Sequence, residues 1–439
     1  MQDYFYEISD KLFKKLGTSE VLLLNCRGED SDFTRFNQSK VRQSGLVFQA
    51  FLSIELIKGK KHASSTMTLA NDLHEDLRNA QSMLSSLREI ISEVPDDPHL
   101  LFNTSPHSSE YKGEVAGNSS ESIIQGICEH ANKLDLVGFL ACGRIYQGFT
   151  NSLGQKNWFE ADSFNFDWSL YHQADKAVKS QFAGTKWEDS KFSQILKQNQ
   201  SHLAKLKLQS KTISPGSYRV YLAPAAGAEI IGLLTWGGFS HKALATKTSP
   251  LLKLFEKKAS FSPKFNLYQD NVHSTAPNFD DMGYVYDQNC RIIEAGSFSK
   301  ALVSPRTAKE FDLVPNNPGS ESPKNVVLEG ASLEQNAILE KLDTGIYINN
   351  LWYLNYSDHS NARITGMTRF ACFWVENGEI KAPIEVMRFD VSAYHIFAEG
   401  LIDLCSESEL LLSNSSYDKR NTSSLRLPGA LVDGFTLTL

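Results

Sequence analysis

The sequence predicts an α+β fold. An N-terminal α/β domain with an antiparallel sheet and long helices is followed by a C-terminal, mostly antiparallel β domain that holds a buried Gly-rich helix. Three observations carry this. Leu46, Phe48, Ala50, Leu52, Ile54 and Leu56 form one strictly alternating apolar face, the period-two signature of a half-buried strand. Leu73, Leu77, Ala80, Leu84, Leu87 and Ile91 recur at alternating steps of four and three, which lines one side of a helix. Glu376-Asn377-Gly378-Glu379 lies between two apolar runs and signals a hairpin, because Asn-Gly accepts the positive φ angles of a tight turn.

The chain has 439 residues, enough for two domains, and is 41% hydrophobic and 22% charged, ordinary for a globular protein with a sizeable core. Its net charge of -7 argues against binding a phosphate backbone, and no Lys/Arg-rich run interleaved with aromatics appears. No apolar run approaches membrane-spanning length. The N-terminus, MQDYFYEISDKLFKKLG, is charged throughout and lacks the apolar core of a signal peptide, so a cytoplasmic location is expected. The six cysteines are scattered without Cys-x-x-Cys spacing and are expected to be reduced, mostly buried thiols.

Taken in order, residues 2–16 have helical apolar spacing and stop at Gly17. Two short strands are expected at 21–26 and 33–37, then the alternating strand, a turn at Lys58-Gly59-Lys60 and a return over 62–70. The long helix is capped by Asn71 or Asp72 and closed by Pro95. Residues 95–117 read as a loop, and Asn118 with Glu121 as a capping box for a helix burying Ile123, Ile124, Ile127, Cys128 and Ala131. Strands follow at 135–150 and 154–170. Residues 171–211 read as polar and helical. Ser214-Pro215-Gly216 breaks the chain, and the boundary is placed within 185–216, giving domains of 1–200 and 201–439. The second half opens with the strand YRVYLA running into an apolar helix that carries Gly232, Leu233, Leu234, Thr235, Trp236, Gly237 and Gly238. Asp280, Asp281 and Asp287 are candidate cation ligands, but without the ladder of a calcium loop; the alternative is a turn whose carboxylates accept backbone hydrogen bonds. A hairpin around Gln288-Asn289, a short helix over 306–311, a helix from Ser332 through Leu342, strands over 346–354, 364–375 and 380–384, and a final strand complete the chain.

Several of these stretches resemble the TldD/TldE (PmbA) family. They are the polar strand run Arg35–Gly45 with Asn37-Gln38-Ser39-Lys40-Val41, the turn Phe279-Asp280-Asp281-Met282-Gly283 (Met standing where the family has Glu), and the series Ile364–Val375, Glu376–Ile384 and Met387-Arg388-Phe389-Asp390. Together they make the resemblance nearly full length, closest to the TldE/PmbA-type subunit. In the zinc-bearing TldD members the core helix carries His-Glu-x-x-x-His. Gly232 and Leu233 fall near the His-Glu pair and Gly237 near the second His, with His241 the only nearby imidazole. TldD also has a zinc-ligating Cys near its end, whereas the last thiol here is Cys405.

No catalytic, cofactor-binding or metal-binding residue is therefore assigned in this chain. A peptidase zinc site needs three protein ligands, an open position and a general base, and no His-Glu-x-x-His or His-x-x-x-His pair, Gly-x-Ser-x-Gly elbow or Walker loop is present. The resemblance implies a subunit of a heterodimeric zinc metallopeptidase acting on unfolded or precursor peptides, with zinc in a TldD-type partner and this chain walling the chamber. The alternatives are a self-associating, gyrase-modulator-like binding protein and a stand-alone hydrolase.

Overall fold

The computed structural model describes residues 1–439 except 115–116, 174–175, 273–274, 287–288 and 439. Two sheets organise it. The first half contains α1 (Gln2–Phe13), β1 (Val21–Asn37), β2 (Lys40–Lys58), β3 (Lys61–Thr68), α2 (Leu73–Glu93), β4 (Ser109–Lys112), α3 (Ser120–His130), β5 (Leu136–Asn151), β6 (Lys156–Gln173), β7 (Lys176–Gly184) and α4 (Asp189–Lys205). Its strands run β3-β2-β1-β5-β6, with β4 parallel and β7 antiparallel along different stretches of β6.

Period-two patterning decides what each face does. Leu22, Leu24, Cys26, Ala50, Leu52, Ile54, Tyr146 and Trp158 pack against α1 and α2. Farther along the same strands, Phe36, Leu140, Cys142, Phe164, Phe166 and Trp168 pack with α3 and α4. The opposite face carries Leu23, Phe149, Phe159 and Ala161, which meet Phe279 of the second half. α2 is capped by Asp72, whose carboxylate accepts from the His74 and Glu75 amides at 3.0 and 2.9 Å. α3 is capped one residue later than the sequence suggests: Ser119 Oγ accepts from the Ser122 amide at 3.2 Å.

The second half contains β8 (Gly216–Leu222), α5 (Pro224–Leu234), α6 (His241–Ala245), α7 (Leu252–Phe255), β9 (Leu267–Gln269), β10 (Cys290–Glu294), β11 (Ser297–Phe298), α8 (Pro305–Phe311), β12 (Asn325–Leu328), α9 (Ile338–Leu342), β13 (Gly345–Asp358), β14 (Arg363–Glu376), β15 (Glu379–Pro383), β16 (Arg388–Ser392), α10 (Ala393–Phe397), β17 (Leu401–Leu412) and β18 (Ser424–Leu437). The order is β11-β10-β9-β12-β18-β16-β14-β13-β8, and β18 also pairs β8, so the last five strands close on themselves. Most pairings are antiparallel; β12–β18 and β13–β8 are parallel. Asn377 and Gly378 take φ of 53° and 73° between β14 and β15, the tight turn the sequence signals.

Four local expectations are corrected. β1 is one strand through the polar stretch Arg27–Asp30, not two short ones. Residues 176–184 are a strand within the segment read as helical, and only Asp189–Lys205 is helix. α5 stops at Leu234, so Gly237 and Gly238 lie in the following turn. The helix expected from Ser332 is a 3₁₀ turn at Gln335–Ala337 followed by α9. Among the described residues no helix is long and apolar enough to cross a membrane.

Two polar clasps join the halves. In the 279–283 turn, Arg27 pairs with Asp281, Asn25 Nδ2 donates to Asp281 O at 3.2 Å, and Gln155 Nε2 and Asn103 Nδ2 donate to Gly283 O at 2.8 and 3.0 Å. The second clasp is Arg420, carried on the loop between β17 and β18. Its guanidinium lies across Ser31, Gly143 and Ser163, which are aligned on β1, β5 and β6. Its backbone amide donates to buried Glu29 at 3.2 Å.

Candidate functional site: a chamber between the two sheets

α5 has one face buried in the core and another, mostly small residues with Glu229 among them, that lines a cleft. Ala226, Ile230, Ile231 and Leu234 enter the second-half core. Ala225, Ala228, Glu229 and Gly232, spaced three, four and seven residues from the first, face a cleft of about 710 Å³. Its opposite wall is β6 and β7 of the first half (Asp167, Lys179, Ser180, Gln181), and 411–414 with 423–425 close its end. A second lobe, also about 710 Å³, lies beyond β7 and shares Lys179, Ser180, Gln181, Ala225 and Leu411 with the first. The divide between them is held by two hydrogen bonds, Gln181 Nε2 to Leu412 O at 2.9 Å and Asn349 Nδ2 to Lys179 O at 3.1 Å.

The Gly-rich stretch divides by role. A Cβ at Gly232 would meet open space, whereas one at Gly238 would lie 2.2 Å from Leu234 O, and Gly237 has φ +82°. Gly238 is thus required by internal packing, while Gly232 shapes the cleft. Trp236, 74% exposed, stands at the rim.

A helix ending at Leu234 cannot carry Gly232, Leu233 and Gly237 together. Ala228, Glu229 and Leu233 line the cleft. His241 opens α6 with its ring against Phe311, 5.3 Å between centroids.

Four charged side chains, Asp167, Lys179, Glu229 and Lys324, line the first lobe. The protein packed around Glu229 pushes its carboxyl up, opposed by Lys179. Burial likewise raises Asp167, which sits 3.4 Å from Lys179, and lowers Lys324. Among the described residues no group of three or more His, Cys, Asp or Glu is arranged to hold a metal. All six thiols are free and all are pushed up, chiefly by burial, with Cys26 at about 12 and Cys142 and Cys372 at about 11. A thiolate nucleophile needs the opposite shift.

The acidic candidates resolve into a structural turn. Asp280 accepts from the Met282 and Tyr284 amides at 2.9 and 3.0 Å and from Tyr286 Oη at 2.7 Å, and Asp281 pairs with Arg27. Asp287, and Gln288 of the expected hairpin, lie outside the described residues. Sequence reasoning missed Glu229 and β7. The α5 spacing Ala225, Ala228, Glu229, Gly232 was available as a signal, but a uniformly apolar helix hides which side is open.

Comparison with known proteins agrees with this architecture. The sequence profile of the PmbA/TldA metallopeptidase C-terminal domain matches residues 215–439. No curated protein matches the chain. Among solved structures, TldE from Thermococcus kodakarensis is similar at 15% identity and a TM-score of 0.81, covering 99% of this chain and 100% of its own. A proposed modulator of DNA gyrase from Thermotoga maritima is similar at 16% identity and 0.78, covering 99% and 100%. Another, from Bacteroides thetaiotaomicron, is similar at 15% identity and 0.75, covering 99% and 98%. At these identities the likeness speaks to the fold. The profile match takes in more than half of the sequence and begins at the break before β8, and on that ground the chain belongs to the PmbA/TldA (TldD/TldE) metallopeptidase family.

Proposed function

We propose that this chain is the TldE/PmbA-type, non-catalytic subunit of a cytoplasmic TldD/TldE-type zinc metallopeptidase complex that cleaves unfolded or precursor peptides. The observation that carries this reading is the cleft face of α5, where Ala228, Glu229 and Leu233 present one carboxylate and no imidazole. A lone carboxylate does not fit a zinc centre, which needs three ligands and an open position. The partner subunit supplies zinc, and with it the electrophile and activated water. This chain supplies the wall, a low-relief floor of Ala225, Ala228 and Gly232 facing strand β7, on which an extended peptide is held by main-chain pairing.

The test is co-expression with a family member carrying His-Glu-x-x-x-His, followed by metal analysis and peptide digestion by each chain alone and by both together. Zinc and activity that require the partner support the reading. Stoichiometric zinc bound by this chain alone, or peptide cleavage by this chain in chelator, overturns it.

A self-associating, non-enzymatic binding protein is the second reading, and one observation favours it. The apolar stripe of β2 outruns its cover: Leu46 is 82% and Phe48 56% exposed, on a stretch where β2 pairs with β1 but β3 does not reach. A homodimer that persists in the presence of a zinc-bearing relative favours this reading.

A further inference from the structure

The closed end of the first lobe holds a cation that the peptidase-subunit reading does not use. Lys324 lines the cleft there and is partly buried. Its main chain is fixed on both sides: the amide donates to Gln269 Oε1 at 3.0 Å, and the carbonyl accepts from the Ser424 amide at 2.8 Å. Its ammonium has neither a hydrogen bond nor an ion pair among the described residues.

The other charges of the cleft are matched among themselves. Asp167 lies 3.4 Å from Lys179, and Lys179 is also the charge that acts on Glu229. The carboxylates that act on Lys324 from a distance are engaged elsewhere. Asp281 pairs with Arg27, which itself repels the ammonium, and Asp280 accepts from the Met282 and Tyr284 amides and from Tyr286 Oη. The protein packed around the ammonium pushes it down from the ordinary lysine range.

Two hydroxyls with a proton to give line the same end. The Ser413 amide donates to Ser423 O at 3.0 Å, which brings the two segments together beside Ser424. Ser413 Oγ accepts from the Ser415 amide at 3.3 Å and has no acceptor for its own proton among the described residues; Ser423 Oγ has no partner among them. The Ser424 and Ser322 hydroxyls, by contrast, already donate, to Asn325 Oδ1 at 3.1 Å and Thr235 O at 3.3 Å.

An ammonium drawn out of water without a counter-ion is costly unless an anion comes to it. Lysine offers three donors and no acceptor, and a carboxylate offers two oxygens, one for the ammonium and one for the hydroxyls. One unmatched cation suits a single negative charge rather than the two of a phosphate group. A cavity of this size with a few convergent polar groups is the usual form of a small-ligand site.

We propose that the closed end of the first lobe is a carboxylate-binding subsite, with Lys324 as counter-ion and Ser413 and Ser423 as hydroxyl donors. That the carboxylate belongs to a peptide, as its C-terminus or as an acidic side chain, rests on the functional reading above; that this end of the cleft binds a carboxylate does not. The subsite anchors a peptide at one end and so sets the direction in which the chain runs along the α5 floor.

The experiment is calorimetric titration of the isolated full-length chain, which needs no partner subunit. The probes are Nα-acetyl-trialanine with a free carboxylate, the amide of Nα-acetyl-alanyl-aspartyl-alanine for an acidic side chain, and Nα-acetyl-trialanine amide as the neutral control. At least one carboxylate probe is expected to bind saturably, with the neutral control about tenfold weaker or worse. Which carboxylate probe binds distinguishes a C-terminus from an acidic side chain. Lys324→Met is expected to weaken carboxylate binding by about tenfold while leaving the melting temperature unchanged or higher, since it keeps the stem and removes an unpaired charge. Lys186→Met, at an exposed cation of the second lobe, is expected to leave binding unchanged. Equal binding of carboxylate and neutral probes, binding unaltered in Lys324→Met, an equal loss in Lys186→Met, or no saturable binding of either carboxylate overturns the proposal. These outcomes leave the zinc and co-expression test untouched, so the two readings fail separately.

Discussion

Replacing Arg420 with Met should unclasp the two halves. The guanidinium belongs to a residue only 6% exposed and donates four hydrogen bonds. Nη1 reaches Ser31 Oγ and Gly143 O, both at 3.2 Å; Nη2 reaches Ser163 O at 2.9 Å and Ser163 Oγ at 2.7 Å. Methionine fills most of the aliphatic stem but donates nothing. The Gly143 and Ser163 carbonyls would each lose a charged donor, at about 1–3 kcal/mol for an acceptor left unsatisfied. Buried Glu29, held by Ser31 Oγ at 2.9 Å and Gln49 Nε2 at 2.6 Å, would also lose a nearby cation. Relief of the guanidinium's own desolvation, which lowers its pKa here, works the other way. The balance expected is about 3–5 kcal/mol, the usual cost of breaking a buried charged network from one side. Urea denaturation followed by tryptophan fluorescence reads the loss as a lower first midpoint. Limited proteolysis should show faster cutting within 413–423, the loop Arg420 pins. A midpoint shifted by less than about 1 kcal/mol, with an unchanged cleavage pattern, would refute the clasp.

Three further outcomes are expected. Burial raises the Asp280 carboxyl to about 6, so the native state takes up its proton more readily than the unfolded chain; this group's contribution is whole below its ordinary value of 3.8 and is lost as pH rises through about 6. Asp280→Asn should therefore be more stable than wild type at pH 7.5 by up to about 3 kcal/mol, with the difference gone near pH 4, as thermal melts across that range would show. His202 has the opposite sign: its imidazole is depressed to about 4, so its contribution is whole above 6.5 and fades as pH falls from there towards 4. His202→Phe should lose less stability than wild type over that window, by up to about 3 kcal/mol in the same melts. Gly232→Leu should leave stability within about 1 kcal/mol while blocking peptide digestion by the complex, whereas Gly238→Ala, whose Cβ would strike Leu234 O, should lower the melting temperature by the equivalent of about 1–3 kcal/mol.

Where one side of an element is apolar and the other wet, its sequence announces it. The alternating strand, the α2 stripe with Asp72 at its head and the Asn377-Gly378 turn are of this kind. The failures sit at the seam between the halves. Arg27–Asp30 looks like a break in β1 because Arg27 and Glu29 are there to meet Asp281 and the Arg420 loop rather than a core. β7 reads as polar helix because its Lys179, Ser180 and Gln181 line the chamber and hold the divide between its lobes. The β2 stripe reads as wholly buried, yet Leu46 and Phe48 extend past the helices that cover Ala50–Leu56. Long-range partners set the first two patterns and the lack of a covering element the third, and local periodicity carries no record of either.

The two sides of α5 leave this family member unusual freedom to change. Ile230, Ile231 and Leu234 hold the helix in place, while Ala225, Ala228 and Gly232 merely set how deep the cleft is. A side chain added at Gly232 meets open space, so it remodels the cavity without touching the packing that keeps the scaffold folded. New cargo preferences can thus arise there one side chain at a time, with no debt in stability to be repaired elsewhere.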